Sequence, residues 1–232
     1  MATVLGYSNL IDSATLSGWT NNGNLKTRYL AQKATATGSL DIDLGSAQAI
    51  GLVALVSTAG VSSMTVTAGS SAGGSNLYSG TVSAYGGTDL ALTFASVTAR
   101  YWRITASGSV GRLFIGPRFS PAATIDWNPG LSYESATGVQ SSFGGQEYFD
   151  ERPVRRVWRG QWSWLTDAEA WGVVAPMLAA SDISREVYLI EDDTDTSYRS
   201  LRRFLGRFRQ LSAIEWPYVG THTCGVEIGE LL

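Results

Sequence analysis

Three groups of residues have types and spacings that could do chemistry. His222 and Cys224 are two apart, so a strand turns both side chains to one face. A Cys–His pair can supply a nucleophile and its base, but it also needs an orienting group and an oxyanion site. The sequence signals neither, and the pair reads as part of an ordinary strand with a buried thiol. Asp192, Asp193 and Asp195 offer oxygen ligands of the kind Ca²⁺ takes. A calcium loop counted from Asp193 wants Gly at its sixth position and Glu at its twelfth, where this chain has Tyr198 and Phe204. The cluster therefore reads as a solvated hairpin turn. Asp41 and Asp43 could be the acid and base of a glycosidase, since strand positions two apart are ~6.6 Å apart and such pairs need ~5–9 Å. They alternate with Leu40, Ile42 and Leu44, however, which places them on an outer, solvated face. No Gly loop precedes a helix, and no Gly-x-Ser-x-Gly elbow occurs. The expectation is a chain that is not an enzyme and holds no metal or cofactor.

Two further sets suit contact rather than catalysis. Trp158, Trp162, Trp164 and Trp171 could fill a core, meet a second subunit or stack on sugar rings. Arg199, Arg202, Arg203, Arg207 and Arg209 interleave with Phe204 and Phe208, and Arg152, Arg155, Arg156 and Arg159 form a second array. Arg makes forked pairs with carboxylates and is favoured at protein interfaces. Trp158, Trp162, Trp164, Arg155, Arg159, Arg203, Arg207 and Arg209 are accordingly expected at an interface between copies of the chain.

These residues sit on elements of two kinds. Ser39 to Leu44 alternates apolar and polar, as do Ser63 to Ala68 and Arg100 to Thr105. Gly51 to Ser57 is continuously apolar, which fits a strand buried on both faces. Gly111 to Gly116 reads as a closing strand, while Ala72 to Asn76 and Gly86-Gly87 read as turns. Later, Thr166-Asp167-Ala168-Glu169 is a capping box that starts a helix near 166–178, with Trp171, Val174, Ala175 and Leu178 on one face. Pro176 should kink it or end it early. Strands are expected over Val154 to Leu165, with Trp158, Gly160, Trp162 and Trp164 on one face, over Val187 to Ile190 and over Thr223 to Ile228. Arg203 to Leu211 reads as a strand with helix as its competitor.

The fold class is mainly all-β, in two units: a β-sandwich over 1–118 and a β-domain with a helix over 119–232, divided near 117–124. Composition supports that division. The 232 residues carry a net charge of −3, but residues 1–120 hold seven basic and four acidic residues while 121–232 hold ten Arg, no Lys and sixteen acids. Six of the eight Trp lie in the second part. A single Cys excludes an internal disulfide, and one Cys with one His excludes Cys₄, Cys₂His₂ and His₃ zinc sites. No global basic field exists to hold nucleic acid, no apolar run is long enough to span a membrane, and no export signal is visible.

Two resemblances follow from these residues. Asp43-Leu44-Gly45, the strand Leu52 to Val56 and Arg100-Tyr101-Trp102-Arg103-Ile104 resemble the core strands of discoidin-type, galactose-binding-like domains. The likeness implies a jelly roll over 1–118 with binding loops at one end, and carries over no binding residue. The whole chain, through Gly111 to Gly116, Gly144-Gly145 and Val226-Glu227-Ile228-Gly229-Glu230, is similar to tail proteins of long-tailed bacteriophages, including distal tail, baseplate and minor tail components. That likeness implies a virion structural protein, made in the host bacterial cytoplasm. It would assemble as a trimer or hexamer around the tail axis beside other tail proteins, with host-surface polysaccharide as a further partner. Many such proteins place the ring-forming domain first, whereas here the sugar-binding-like unit leads. The alternative reading is a carbohydrate-binding module that contacts host-surface glycans.

Overall fold

The computed structural model describes residues 3–123 and 129–232. Thr124, the last residue of the expected division, lies outside them, as do Asp126 and Trp127. The described residues are mainly β, as the alternating patterns imply, with one helical segment and two short 3₁₀ turns at Leu10–Asp12 and Asn22–Lys26. It opens with β1 (Val4–Gly6), β2 (Thr15–Ser17), the long β3 (Ala34–Val56), β4 (Ser63–Gly69), β5 (Tyr78–Ser83), the long β6 (Leu90–Val110) and β7 (Arg112–Gly116). There follow β8 (Arg118–Phe119), β9 (Gly130–Glu134), β10 (Gly138–Ser141), β11 (Glu147–Asp150) and β12 (Arg155–Leu165). Beyond the helical segment come β13 (Val187–Ile190), β14 (Arg203–Phe208), β15 (Ile214–Tyr218) and β16 (Thr221–Glu230).

The first sheet is built on β3 and β6, which pair antiparallel along most of their length. Register shifts at Asp43/Gln48 and Ile50/Leu52 bend this ribbon. Its two ends thus become two facing layers, because a bulge adds a residue to one strand and turns its direction. One layer adds β2, β4 and β5 and the other adds β7. Leu40, Ile42, Val53, Leu55, Met64, Val66, Trp102 and Ile104 fill the space between them.

The second sheet has the order β8-β1-β13-β14-β16-β12-β9, with β15 on β16. Its first strand changes the expected division at residue 118. Val4 to Gly6 pair with Tyr188 to Ile190, and Leu5 and Gly6 with Phe119 and Arg118. The first unit is therefore an insertion between the first two strands of the second.

One face of this sheet buries Trp158, Trp162, Phe204, Phe208 and Ile228 under the helix residues Ala170, Val174 and Met177. The other face places Tyr188, Ile190 and Leu205 on Leu52, Ala54, Val56 and Phe114 of the first unit. This explains why Leu52 to Val56 is apolar throughout: Val53 and Leu55 face one core and its neighbours face the other. Gly6 sits where a Cβ would lie 2.7 Å from the Phe114 ring, so the units meet without room for a side chain there.

The helical segment starts where the capping box places it. Thr166 accepts from the Glu169 N–H while Glu169 accepts from Thr166 N–H at 2.9 Å. It differs beyond that point. One short turn, α1 (Asp167–Glu169), widens into a π turn over Ala170–Val174 and continues as α2 (Ala175–Ser181). Pro176 does not end the helix. Its ring would strike the carbonyl four residues back, and the wider turn, with Ala175 N–H on Ala170 O, makes room for it. The shift also turns Trp171 and Ala175 off the core face, which Ala170, Val174, Met177 and Leu178 form instead. Arg203–Phe208 is strand, and helix there is ruled out.

Candidate functional site

The sequence expected eight interface residues, and the structure separates them. Trp158 and Trp162 are 0% and 1% exposed, core residues beneath the helix with no face left for a partner. Arg203 is buried as well, paired with Asp193 at 3.2 Å. Arg155 reaches Glu134 at 3.4 Å, Arg159 reaches Glu227 at 3.2 Å, and Arg209 bridges Glu134 and Glu227. These charges come from neighbouring strands of one sheet, so cross-strand register supplies them with partners within the chain. Arg207 is exposed and donates to the Ile183 carbonyl at 3.3 Å. Trp164 alone of the three expected tryptophans lies at the surface, 60% exposed.

Its displacement has a local cause. A register shift in the β12–β16 ladder between Trp162 and Leu165 breaks the alternation, so Leu165 takes the buried position. Trp164 adopts φ +61°, a left-handed conformation that costs a bulky residue about 1–2 kcal/mol or more. Its ring lies parallel to that of Tyr218, which is 68% exposed, with an interplanar angle of 7° and centroids 6.1 Å apart. A cavity of about 250 Å³ adjoins the pair, lined also by Ser163, Pro217, Thr221 and Thr223. Farther along β15, exposed Trp216 meets exposed Trp171 of the π turn at 5.6 Å, and both rest edge-on against His222. Trp216 and Tyr218 escaped the sequence reading, because a strand of five residues with a Pro and an irregular register carries no clear alternation.

A second feature is a ribbon that leaves the sheet. β9 pairs with the start of β12, ending at Glu134 opposite Arg155, and β10 then pairs with β11 from Gly138 opposite Asp150. The two ladders nearly share one register, so 130–159 is a single long hairpin interrupted at 135–137 and 151–154. All eight residues of β10 and β11 are exposed, hence both faces are open. Val139, Phe143, Tyr148 and Phe149 are all large exposed apolar residues on it, with Phe143 near the Gly144-Gly145 tip. At ~3.3 Å per residue the tip lies up to about 30 Å from Glu134.

The remaining candidate residues are held in the scaffold. Asp41 takes a forked pair from Arg103 at 2.6 and 2.9 Å, and Asp43 one from Arg100 at 2.7 and 2.8 Å. The Arg100 hydrogen bonds and the Gly45 N–H hold the Asp43 carboxyl down at about 2, so it stays ionised and unable to act as an acid. Asp41 and Asp43 line a small cleft of about 130 Å³ together with Thr15, Ser17, Gly73 and Tyr101. Asp192 caps the Thr194 N–H and Asp195 the Ser197 and Tyr198 N–H groups, while Asp193 accepts from Thr93. No cluster of three metal-ligating side chains occurs among the described residues. His222 Nε2 meets Asp167 Oδ1 at 2.6 Å, whereas the buried Cys224 thiol faces the Gly225 carbonyl. Burial and then the Glu215 charge push that thiol up to about 11, which keeps it protonated. No helix among the described residues is long and apolar enough to cross a membrane.

No family model matches the sequence, and no curated protein matches it. Solved structures do. The chain is similar to a Ruminococcus gnavus GH29 fucosidase in complex with fucose, at 16% identity and a TM-score of 0.38, over 48% of this chain and 27% of that one. It is similar to CpGH89CBM32-6 produced by Clostridium perfringens, at 15% identity and a TM-score of 0.38, over 47% of this chain and 99% of that one. A Streptococcus pneumoniae fucose binding module matches at 18% identity and a TM-score of 0.37, over 47% of this chain and 95% of that one. Each match covers about half of this chain, and the chain spans about a quarter of the fucosidase's length.

Proposed function

We propose that this chain is a non-catalytic structural protein that assembles with copies of itself, as a component of a bacteriophage tail tip or baseplate. The observation that carries the assembly is the free ribbon of β10 and β11. A two-stranded hairpin alone is marginally stable in water, and clustered exposed apolar residues mark interaction sites. Val139, Phe143, Tyr148 and Phe149 on a ribbon open on both faces gain most by lying on a neighbouring subunit. A head-to-tail contact of this kind closes a ring when its rotation allows. The tail setting, the trimeric or hexameric count and the virion location rest on the sequence resemblance. Size-exclusion chromatography with light scattering and electron microscopy test the reading. Three or six copies in a ring are expected, and Phe143→Ser combined with Phe149→Ser should give a monomer with an unchanged circular dichroism spectrum. A wild-type monomer with no rings overturns it.

A second reading, a carbohydrate-binding protein, is favoured by the cleft of the first unit. Tyr101 offers an aromatic side chain there, and Asp41 and Asp43, each fixed by a forked arginine pair, offer acceptors for hydroxyl groups. In a Trp164→Gly background, glycan binding abolished by Tyr101→Ala supports this reading; binding in that background indifferent to the change sinks it.

A further inference from the structure

We propose that Trp164 and Tyr218 form a second, independent site on the other unit, one that binds a neutral pyranose ring. The first observation is strain. A tryptophan held at φ +61° and left 60% exposed contributes little burial in return, so its conformation is maintained by the bulge around it and serves to present the ring. The second is geometry. Trp164 and Tyr218 lie within 7° of parallel, giving aromatic surface in one orientation, which suits the flat C–H face of a sugar ring. The third is the lining. Ser163, Thr221 and Thr223 place hydroxyl-bearing side chains around the aromatic pair, and among the described residues no charged side chain borders the cavity. Hydroxyls among apolar surface match a ligand that is itself hydroxylated on its rim and apolar on its faces.

The same lining decides the class of sugar. Uronic or sialic acids would call for a cation and an amino sugar for a carboxylate, and the described residues of the site offer neither. At about 250 Å³ the cavity falls just below the usual ~300–1,000 Å³ of ligand pockets, which limits it to about one ring of a longer chain. A proline-rich peptide also lies on aromatic surfaces, but it needs an extended groove, and this cavity is short. The site rests neither on the assembly reading nor on the cleft beside Tyr101, since both lie on other elements.

The experiment is a glycan array probed with the full chain. The array carries galactose-, glucose-, mannose- and N-acetylhexosamine-terminated chains, sialylated and uronate chains, and a proline-rich peptide. Hits are then titrated by calorimetry. Binding to neutral chains is expected, weakened about tenfold or more by Tyr218→Ala and by Trp164→Gly, and unchanged by Tyr101→Ala. Trp164→Gly keeps the backbone conformation accessible, and Thr223→Val, on β16 opposite the bulge, removes a rim hydroxyl while keeping the side-chain shape and should also weaken binding. Binding lost with Tyr101→Ala but retained in Trp164→Gly places the site in the first unit and overturns the proposal. Preference for anionic chains or for the peptide, or no binding at all, overturns it too.

Discussion

Arg112 of β7 donates from Nε and Nη2 to Glu186 Oε2 at 2.9 and 2.7 Å, and both side chains are buried. Arg112 belongs to the inserted unit and Glu186 directly precedes β13 of the other, so this ion pair ties the two units together. Asn9 donates to the same carboxylate oxygen at 3.1 Å, and Arg112 also donates to Asp12 and to the Leu25 carbonyl. Removing Glu186 leaves the buried Arg112 charge with only the half-exposed Asp12 carboxylate opposite it, so part of the cost of an unmatched buried charge is felt. Glu186→Ala should therefore destabilise the protein by up to about 3 kcal/mol, the low end for a broken buried pair. Arg112→Met combined with Glu186→Leu should recover most of that loss in a double-mutant cycle read by chemical denaturation.

Trp164 permits a test of backbone strain. In an ordinary strand, Gly is less stable than Ala by about 0.5–1 kcal/mol. At φ +61° the order should reverse, with Trp164→Gly more stable than Trp164→Ala by about 1 kcal/mol. Denaturation midpoints of the two variants decide it, and the ordinary order would show that the left-handed conformation is not kept in solution.

Asp89 lies where the units meet, in a cavity it shares with Arg156 and Glu230. Desolvation raises its carboxyl to about 6, against the pull of the Ser57 N–H and Arg156. In the unfolded chain the group titrates near its ordinary 3.8, so between these values the folded state holds more protons. Its contribution is therefore complete below about pH 4 and is lost as the pH rises through 6. Because the side chain keeps some solvent contact, the loss is on the order of 1 kcal/mol. Asp89→Asn should flatten that decline in stability measured from pH 4 to pH 7.

Cys224 is buried, and its thiol is held protonated by that burial. The thiolate is the reacting form, so a thiol-specific reagent at neutral pH should leave the native protein unlabelled. In denaturant it should label one group per chain. Rapid labelling of the native protein would mean that the strand at Cys224 opens easily.

Much of this molecule is legible in short stretches of sequence. The alternation of Leu40 with Ile42 and of Trp102 with Ile104, the capping box at Thr166 and the two-sided burial of Leu52 to Val56 all follow from patterns a few residues long. Such patterns suffice because side-chain direction in a strand and capping at a helix start are local properties. The long-range pairings are not local. Nothing near Val4 to Gly6 says that they join Tyr188 to Ile190, and nothing around Arg159 or Arg209 says that Glu227 stands opposite. Trp164 is the sharpest case: period-two reasoning placed it on one strand face with Trp158 and Trp162, and a single register shift separated it from them and turned it to the surface. The sequence by itself determined a mainly all-β chain and the start of its capped helix. Only the tertiary structure decided which Trp and Arg remain available, because exposure and ion pairing depend on partners far away along the chain.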